Sequence, residues 1–336
     1  MKKWKPLLAA CALAAGLAGH SMAQIVVGQT VGVTGSAAIT VKESMQGASL
    51  YLDFVNAQGG VGGQKIELVV LDDKFDTKLT LENARTLIEK HGAIALFMTR
   101  GTPHTQGIVP LLDEAGVVLV GPSTGAMALH KPVSRHVFNV RAPYQLEVEK
   151  AITHLNTLGV QRIGVIHVDD SFGADALDGA LNGFKAQGTQ ALFIEKFDRS
   201  KPDFSAIAPR AAKLLPQAVI FIGTGAAVVD GIKALRTAGV SGQIVTLSNN
   251  ASGGFTKALG EQARGVVVTQ VFPSERSLNY PVIKEAMGLA KAKGIDELTP
   301  AMVEGLRRAS PKPDRARMLA ALEGMRKFDL GGLELS

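Results

Sequence analysis

What the chain lacks narrows the field before any motif is considered. Its one cysteine, Cys11, precedes everything that reads as a folded body, so disulfides, thiolate metal sites and thiol nucleophiles are excluded there. One Trp and three Tyr in 336 residues, with no basic stripe carrying interleaved aromatics, leave little for stacking on nucleic-acid bases. His91, His104, His130, His136, His154 and His167 never fall at HxxxH or HExxH spacing, which argues against a metal centre. Ser–His–Asp hydrolysis is given no anchor either. No long polar or single-sign tract suggests disorder, and no run after residue 23 approaches the roughly 20 apolar residues of a membrane span.

The residues that are present suit a folded protein of about two lobes rather than one core. Hydrophobic residues make up 46% and charged residues 20%, with a formal net charge of +6. Setting aside Lys2, Lys3 and Lys5 lowers that excess from six to three, so the basic balance is no case for nucleic acid. Those three lysines form a positive n-region, Leu7 to Gly19 is almost wholly apolar, and Ser21-Met22-Ala23 offers small residues before a cut. A signal peptide over 1–23 with cleavage after Ala23 is expected, and with it export to the periplasm. Leu8-Ala9-Ala10-Cys11 also has the form of a lipoprotein box, but only four apolar residues would precede the cut.

Beyond residue 24, short Val/Ile/Leu-rich runs alternate with amphipathic stretches. Strands are expected at Ile25–Gln29, Lys65–Leu71, Ala93–Met98 and Val117–Val120, with helices at Val41–Ala57, Thr77–His91 and Thr105–Ala115. In the second helix Leu81, Ala84, Leu87 and Ile88 carry the helical spacing. The rhythm resets near Asn139–Pro143. Strands then follow at Arg162–Val168, Ala191–Phe197, Ala218–Ile222, Gln243–Leu247 and Gly265–Val271. Helices are expected at Glu147–Leu158, Ala174–Ala186, Phe204–Leu215 and Ala226–Ala238. Repeated strand–helix–strand units imply two parallel sheets with helices on both faces. Lobe I is expected to comprise 24–140 plus 273–327, and lobe II 141–272, so the chain crosses a hinge more than once and a cleft lies between them.

Few motifs point to chemistry. Gly223-Thr224-Gly225-Ala226-Ala227-Val228 matches two glycines of a dinucleotide turn but has Val228 at the third, and no acid follows about 20 residues on. No cofactor is therefore expected. Asp72-Asp73 and Asp169-Asp170 are read as turn and cap residues, because adjacent side chains of an extended chain face opposite ways. What remains is a set of small hydroxyl and glycine residues at the carboxyl ends of strands, where open α/β sheets bind ligands. Thr34, Thr102, Thr105, Ser123 and Thr124 belong to the first set, and Ser171, Thr224, Gly225, Ser248 and Asn249 to the second. Hydroxyls and helix N-termini converging there suit an anion such as a carboxylate.

Several stretches in this order also resemble a known family. They are Val55-Asn56-Ala57-Gln58-Gly59-Gly60-Val61-Gly62-Gly63, Leu71-Asp72-Asp73, Gly101-Thr102-Pro103, Gly121-Pro122-Ser123-Thr124-Gly125-Ala126, Val137-Phe138-Asn139-Val140-Arg141 and Asp169-Asp170-Ser171-Phe172-Gly173. From about Ile25 to Leu335 the chain is similar to type I periplasmic solute-binding proteins of ABC importers, in the branched-chain amino acid class. The resemblance implies an α/β fold of two Rossmann-like lobes with parallel sheets, joined by a multi-crossover hinge and closing on a small solute. It implies Thr102 as a carboxylate grip, assisted by Ser123 and Thr124. Phe172 would lie across the ligand, and Thr224, Gly225, Ser248 and Asn249 would supply other second-lobe contacts.

Two departures stand out. Leu/Ile/Val binders place a carboxylate near 248–249 for the substrate ammonium, and this chain has no acid between Asp230 and Glu261. An ammonium desolvated without a counter-charge is costly. A carboxylate solute lacking an α-amino group is expected, or else Asp169 or Asp170 supplies the charge. Arg100 would add a positive charge, against a plainer reading as an exposed side chain. The second departure is at Met302–Arg308, where roughly three helical turns seen in relatives are missing. The last crossover, 328–336, is expected to be cut short. The function implied is a non-enzymatic, monomeric substrate-binding component that docks on an inner-membrane ABC permease. A ligand-sensing module feeding a signalling partner is the alternative.

Overall fold

A computed structural model describes residues 24–271, with Asn279, Lys284, Gly288 and the short strands Phe328–Asp329 and Glu334–Leu335. Expectations for the signal segment 1–23, for 273–327 as part of lobe I and for the shortened stretch at 302–308 lie almost wholly outside the described residues.

Within them the alternation is realised as two five-stranded parallel sheets. The first has the order β2-β1-β3-β4-β5, built from β1 (Ile25–Val31), β2 (Ile66–Asp72), β3 (Ala95–Phe97), β4 (Val118–Val120) and β5 (Val137–Phe138). The second has the order β10-β9-β8-β6-β7, from β6 (Ile163–Val168), β7 (Phe193–Phe197), β8 (Ala218–Ile222), β9 (Gln243–Thr246) and β10 (Val266–Val268). Helices α1 (Ala38–Ala57), α2 (Thr77–Glu89) and α3 (Thr102–Ala115) cross between strands of the first sheet. Helix α4 (Tyr144–Thr157) opens the second lobe, followed by α5 (Ser171–Ala186), α6 (Ile207–Lys213), α7 (Gly225–Thr237) and α8 (Gly253–Leu259).

Burial follows from this layering. Every residue of β6 and β8 is buried, as central parallel strands covered on both faces should be. The edge strand β7 instead alternates, with Glu195 paired to Arg210 at its outer face. Phe197, Phe204 and Phe221 pack as a trio with ring centroids 5.0–5.8 Å apart, a geometry that adds to their area burial.

The differences from the expected elements have local causes. Strand β3 stops at Phe97 because Met98 adopts φ 51, outside the extended region. Helix α3 begins at Thr102 rather than Thr105, since Pro103 fits its first turn and needs no N–H there. In α2 the buried stripe runs through Thr80, Ala84, Leu87 and Ile88, and Leu81 is 38% exposed. Thr80 takes the inward place because its hydroxyl bonds the buried Asp73 carboxylate at 3.0 Å. Strand β5 and helix α8 were too short to show a period in the sequence.

Where the chain first passes between lobes, at 139–143, one buried carboxylate organises the hinge. Glu147 of α4 accepts from the Arg141 guanidinium, from the Ser248 amide and hydroxyl (both 3.1 Å) and from Thr269 Oγ1 at 2.6 Å. Arg141 also lies over the Tyr144 ring, 4.2 Å from its centroid. The entry crossover and the end of β10 are thus tied to a single charge. Removing one partner of such a buried pair leaves the other uncompensated, at a cost of about 3–5 kcal/mol. Glu147→Ala is expected to lower the urea stability of the second lobe by about that amount. Arg85→Ala, which breaks only the exposed Arg85–Glu89 pair, is the control and should change it by about 0.5 kcal/mol or less.

Candidate functional site

Parallel strands send all their carboxyl ends, and the N-termini of the following helices, to one edge of each sheet. Here the two edges face each other, and the lobes touch across them. Ala226 N donates to Ser36 O at 3.2 Å, and the Glu43 carboxylate of α1 accepts from Gly253 N and Gly254 N at 3.0 and 2.6 Å. Met127 N donates to Asp175 Oδ1 at 2.9 Å, and the Arg199 guanidinium sits 5.1 Å above the Phe75 ring. Gly225 is needed at its position: its φ is 51, and a Cβ would fall on the Ser36 carbonyl oxygen of the opposite lobe.

The residues expected from sequence divide into groups. Thr102 and Thr124 are buried, with their hydroxyls bonded to each other at 2.7 Å. Ser123 Oγ accepts from Arg100 at 3.4 Å, so these three lie together at the ends of β3 and β4. Arg100 is not an exposed side chain. It is 5% exposed and reaches Thr40 Oγ1 and the Asn249 carbonyl, each at 2.5 Å, joining the lobes. Thr224 stands at the N-cap of α7, and Gly225 N donates to Asn250 Oδ1 at 2.9 Å. Asn249 Nδ2 donates to Gly223 O at 2.9 Å, while its Oδ1 is buried without a hydrogen-bond partner. Ser248 turns instead to the hinge carboxylate, and Phe172 is buried against Tyr144 at 4.7 Å.

The acidic pairs are accounted for by the fold. Asp73 bonds Thr30, Thr80 and the Phe75 amide, and Asp72 holds the Thr34 and Lys74 amides. Asp170 caps α5 through the Phe172 and Gly173 amides and pairs with Arg199 Nε. Asp169 pairs at the surface with Lys196. Neither is left as a dedicated counter-charge for a ligand ammonium.

Sequence reasoning missed a second group. His104, two residues beyond Thr102, is 1% exposed and stacks on Phe75 at 4.2 Å. Its ring nitrogens are buried, with the Phe75 main chain as an acceptor for the ring, and Ser171 Oγ and Arg199 Nη2 are buried without a partner. Arg199 was legible in principle: β6 and β7 pair in parallel with Val168 opposite Phe197, which sets residues 170 and 199 side by side. The string Gly121-Pro122-Ser123-Thr124-Gly125 also has the letters of a nucleophile elbow, which the sequence reading passed over. Its Ser123 hydroxyl faces Arg100, and the residues after it form a short 3-10 turn, not the long helix an elbow requires. Among the described residues no group of three His, Cys, Asp or Glu is placed to hold a metal ion, and no helix is long and apolar enough to cross a membrane.

Two lobes of parallel α/β sheet meeting over buried polar groups define a solute-binding class of protein. The chain belongs to the Periplasmic binding protein family, whose profile matches residues 24–335. It is 24% identical over 302 residues to the Leu/Ile/Val-binding protein of Escherichia coli K12, covering 88% of this chain and 79% of that one. It is 25% identical over 232 residues to an amino acid binding protein of Pseudomonas aeruginosa, covering 69% of this chain but only 62% of the relative. A substrate-binding periplasmic protein from Ralstonia solanacearum superposes with a TM-score of 0.82 at 32% identity, covering 92% and 91% of the two chains. A solute-binding protein of an ABC transporter from R. palustris, in complex with benzoate, has the same fold at 18% identity, with a TM-score of 0.80 and 91% and 87% coverage. The family and these relatives are named as binding proteins.

Burial lowers the pKa of His104, and the Arg199 charge adds to that, while the Phe75 main chain, Asp170 and Asp76 oppose it. The ring is therefore neutral at pH 7, and the unfolded chain, at the ordinary 6.5, takes up the proton first on acidification. Stability contributed by this neutral ring is lost as pH falls below about 6.5. Asp73 and Asp175, raised by burial, act in the opposite sense. Urea midpoints measured from pH 7.5 to 5.5 should fall less steeply for His104→Phe, which keeps the stack on Phe75, than for the parent chain.

Proposed function

We propose that the protein is the exported, substrate-binding component of an ABC importer, capturing a small carboxylate solute by closure of lobe I (24–140 plus 273–327) on lobe II (141–272). The observation that carries this reading is the set of contacts made between the lobes around buried polar groups at the strand ends, Arg100 to Asn249 above all. In this reading Thr102, Ser123 and Thr124, with the Arg100 guanidinium, hold the solute carboxylate. Thr224, Gly225 and Asn249 close over it, and Phe172 stiffens the second-lobe wall from behind. The closed form would dock on an inner-membrane permease, and the protein would work as a periplasmic monomer without turnover. Similarity to a Leu/Ile/Val-binding protein and to a benzoate-bound one supports small carboxylates as the solute class.

The test is thermal denaturation and calorimetry with amino acids, aliphatic acids and benzoate. A bound solute at 100 times its Kd adds about 2.7 kcal/mol to stability, enough to raise the melting temperature by several degrees. Small-angle scattering in the presence of that solute should give a smaller radius of gyration for the parent chain than for Gly225→Ala, whose Cβ obstructs the Ser36 contact. If no small acid stabilises the protein, the reading fails.

A further inference from the structure

Two buried polar atoms that the protein leaves without partners stand around Asp170 in lobe II: Ser171 Oγ in the next residue, and Nη2 of Arg199, which Asp170 binds. The buried His104 ring of lobe I meets Arg199 at the Phe75 ring. His104 comes from the first turn of α3 in lobe I, and Ser171 and Arg199 come from lobe II. Phe75 joins them, carrying the His104 ring against one part of its surface and the Arg199 guanidinium over its face. Buried polar groups are almost always satisfied, so unsatisfied ones on a wall that faces the opposite lobe mark where an outside group belongs. The side chains are also held in place. Asp170 takes Arg199 Nε and leaves Nη2 directed elsewhere, and Gly101, at φ 93, makes room for the His104 ring where a Cβ would strike Nδ1.

We propose that His104, Ser171 and Arg199 form a second subsite, which takes an oxygen acceptor of the solute, such as an oxo, hydroxyl or further carboxylate oxygen. This rests on the carboxylate-capture reading above and goes beyond it by naming the solute's other polar group. The guanidinium and the hydroxyl can both donate to an oxygen, with the imidazole beside them. An ammonium is the wrong group here, because it would face the Arg199 cation and find as acceptors only the imidazole, the hydroxyl and the Asp170 carboxylate that Arg199 already holds. The solute class is therefore an acid carrying a second oxygen function in place of an amino group.

Matched triplets provide the test: propionate, pyruvate and alanine; 4-methylpentanoate, its 2-oxo acid and leucine; 3-phenylpropanoate, phenylpyruvate and phenylalanine. Calorimetry on the mature protein should find, in the triplet that fits the pocket, the oxo acid bound at least about 10-fold tighter than the plain acid and the amino acid. In Ser171→Ala, His104→Phe and Arg199→Met the oxo-to-plain affinity ratio should fall toward one. Lys196→Ala, which breaks only the surface pair with Asp169, should leave that ratio unchanged. Ser171→Ala removes a single oxygen, so its result stands even if Arg199→Met loses its fold by freeing Asp170. Plain and oxo acids bound equally by the parent chain, tightest binding by the amino acid, or a ratio unaltered in all three variants would overturn the second subsite while leaving carboxylate capture intact. No binding by any member would overturn the second subsite, and no binding by benzoate or the other acids either would overturn carboxylate capture as well.

Discussion

A parallel sheet imposes one constraint on everything in this molecule. Each crossover helix must start at the same edge, so the unpaired amides of α3, α5 and α7 and the ends of their strands all accumulate there. Two such edges brought face to face bury more polar groups than either lobe satisfies alone. The chain meets part of that demand across the gap, with Glu43 serving the α8 amides and Asp175 serving Met127. The remainder, at Arg199, Ser171 and Asn249, is what gives the cleft a chemical character.

Much of the fold was legible because buried parallel strands are short apolar runs punctuated by Gly, Asp and Pro. Ala218–Ile222 emerged at the same bounds in both readings. Elements too short for a period, such as Val137–Phe138, were not legible, because only the neighbouring strand Val118–Val120 holds them in the sheet. The site was legible by position but not by partner. Thr102, Ser123 and Thr124 do gather, because strand ends gather, yet nothing local told that Ser248 would be drawn to Glu147, 101 residues earlier in the chain. Arg100 shows the same limit. A lone arginine in a turn is solvated in most proteins, and its burial here depends on Thr40 and Asn249, which the fold alone brings near.

The arrangement of charge also separates two jobs that a single buried pair would confuse. Glu147 and Arg141 sit at the hinge, where both crossover segments meet and neither side chain is more than 6% exposed. Their pairing fixes how the lobes are joined, not what lies between them. Arg100 and Arg199 sit at the strand ends, one from each lobe; Arg100 hydrogen-bonds the opposite lobe, and Arg199 lies over an aromatic ring of it. The Arg100 cation on one wall favours anions, while on the other Arg199 is offset by Asp170, and the Glu43 carboxylate is already bonded to amides.

In the proposed reading, closure would be close to balanced. The cross-lobe hydrogen bonds are few, and each contributes only about 0.5–1.5 kcal/mol net. Against them stand buried polar atoms without partners, each costing about 1–3 kcal/mol. A solute that supplied an oxygen to Arg199 and Ser171 would remove such costs, with His104 of the opposite lobe beside it when both lobes are in place. Differential interaction with the closed arrangement is the one means by which a ligand shifts such an equilibrium. A shift from mostly open to mostly closed takes about 5.5 kcal/mol, a substantial part of which relief of such atoms would provide. An ion pair completed across the lobes at the same place would hold them shut regardless of solute, whereas the Arg199–Asp170 pair lies within one lobe. In the proposed reading, the unsatisfied atoms make closure depend on the solute.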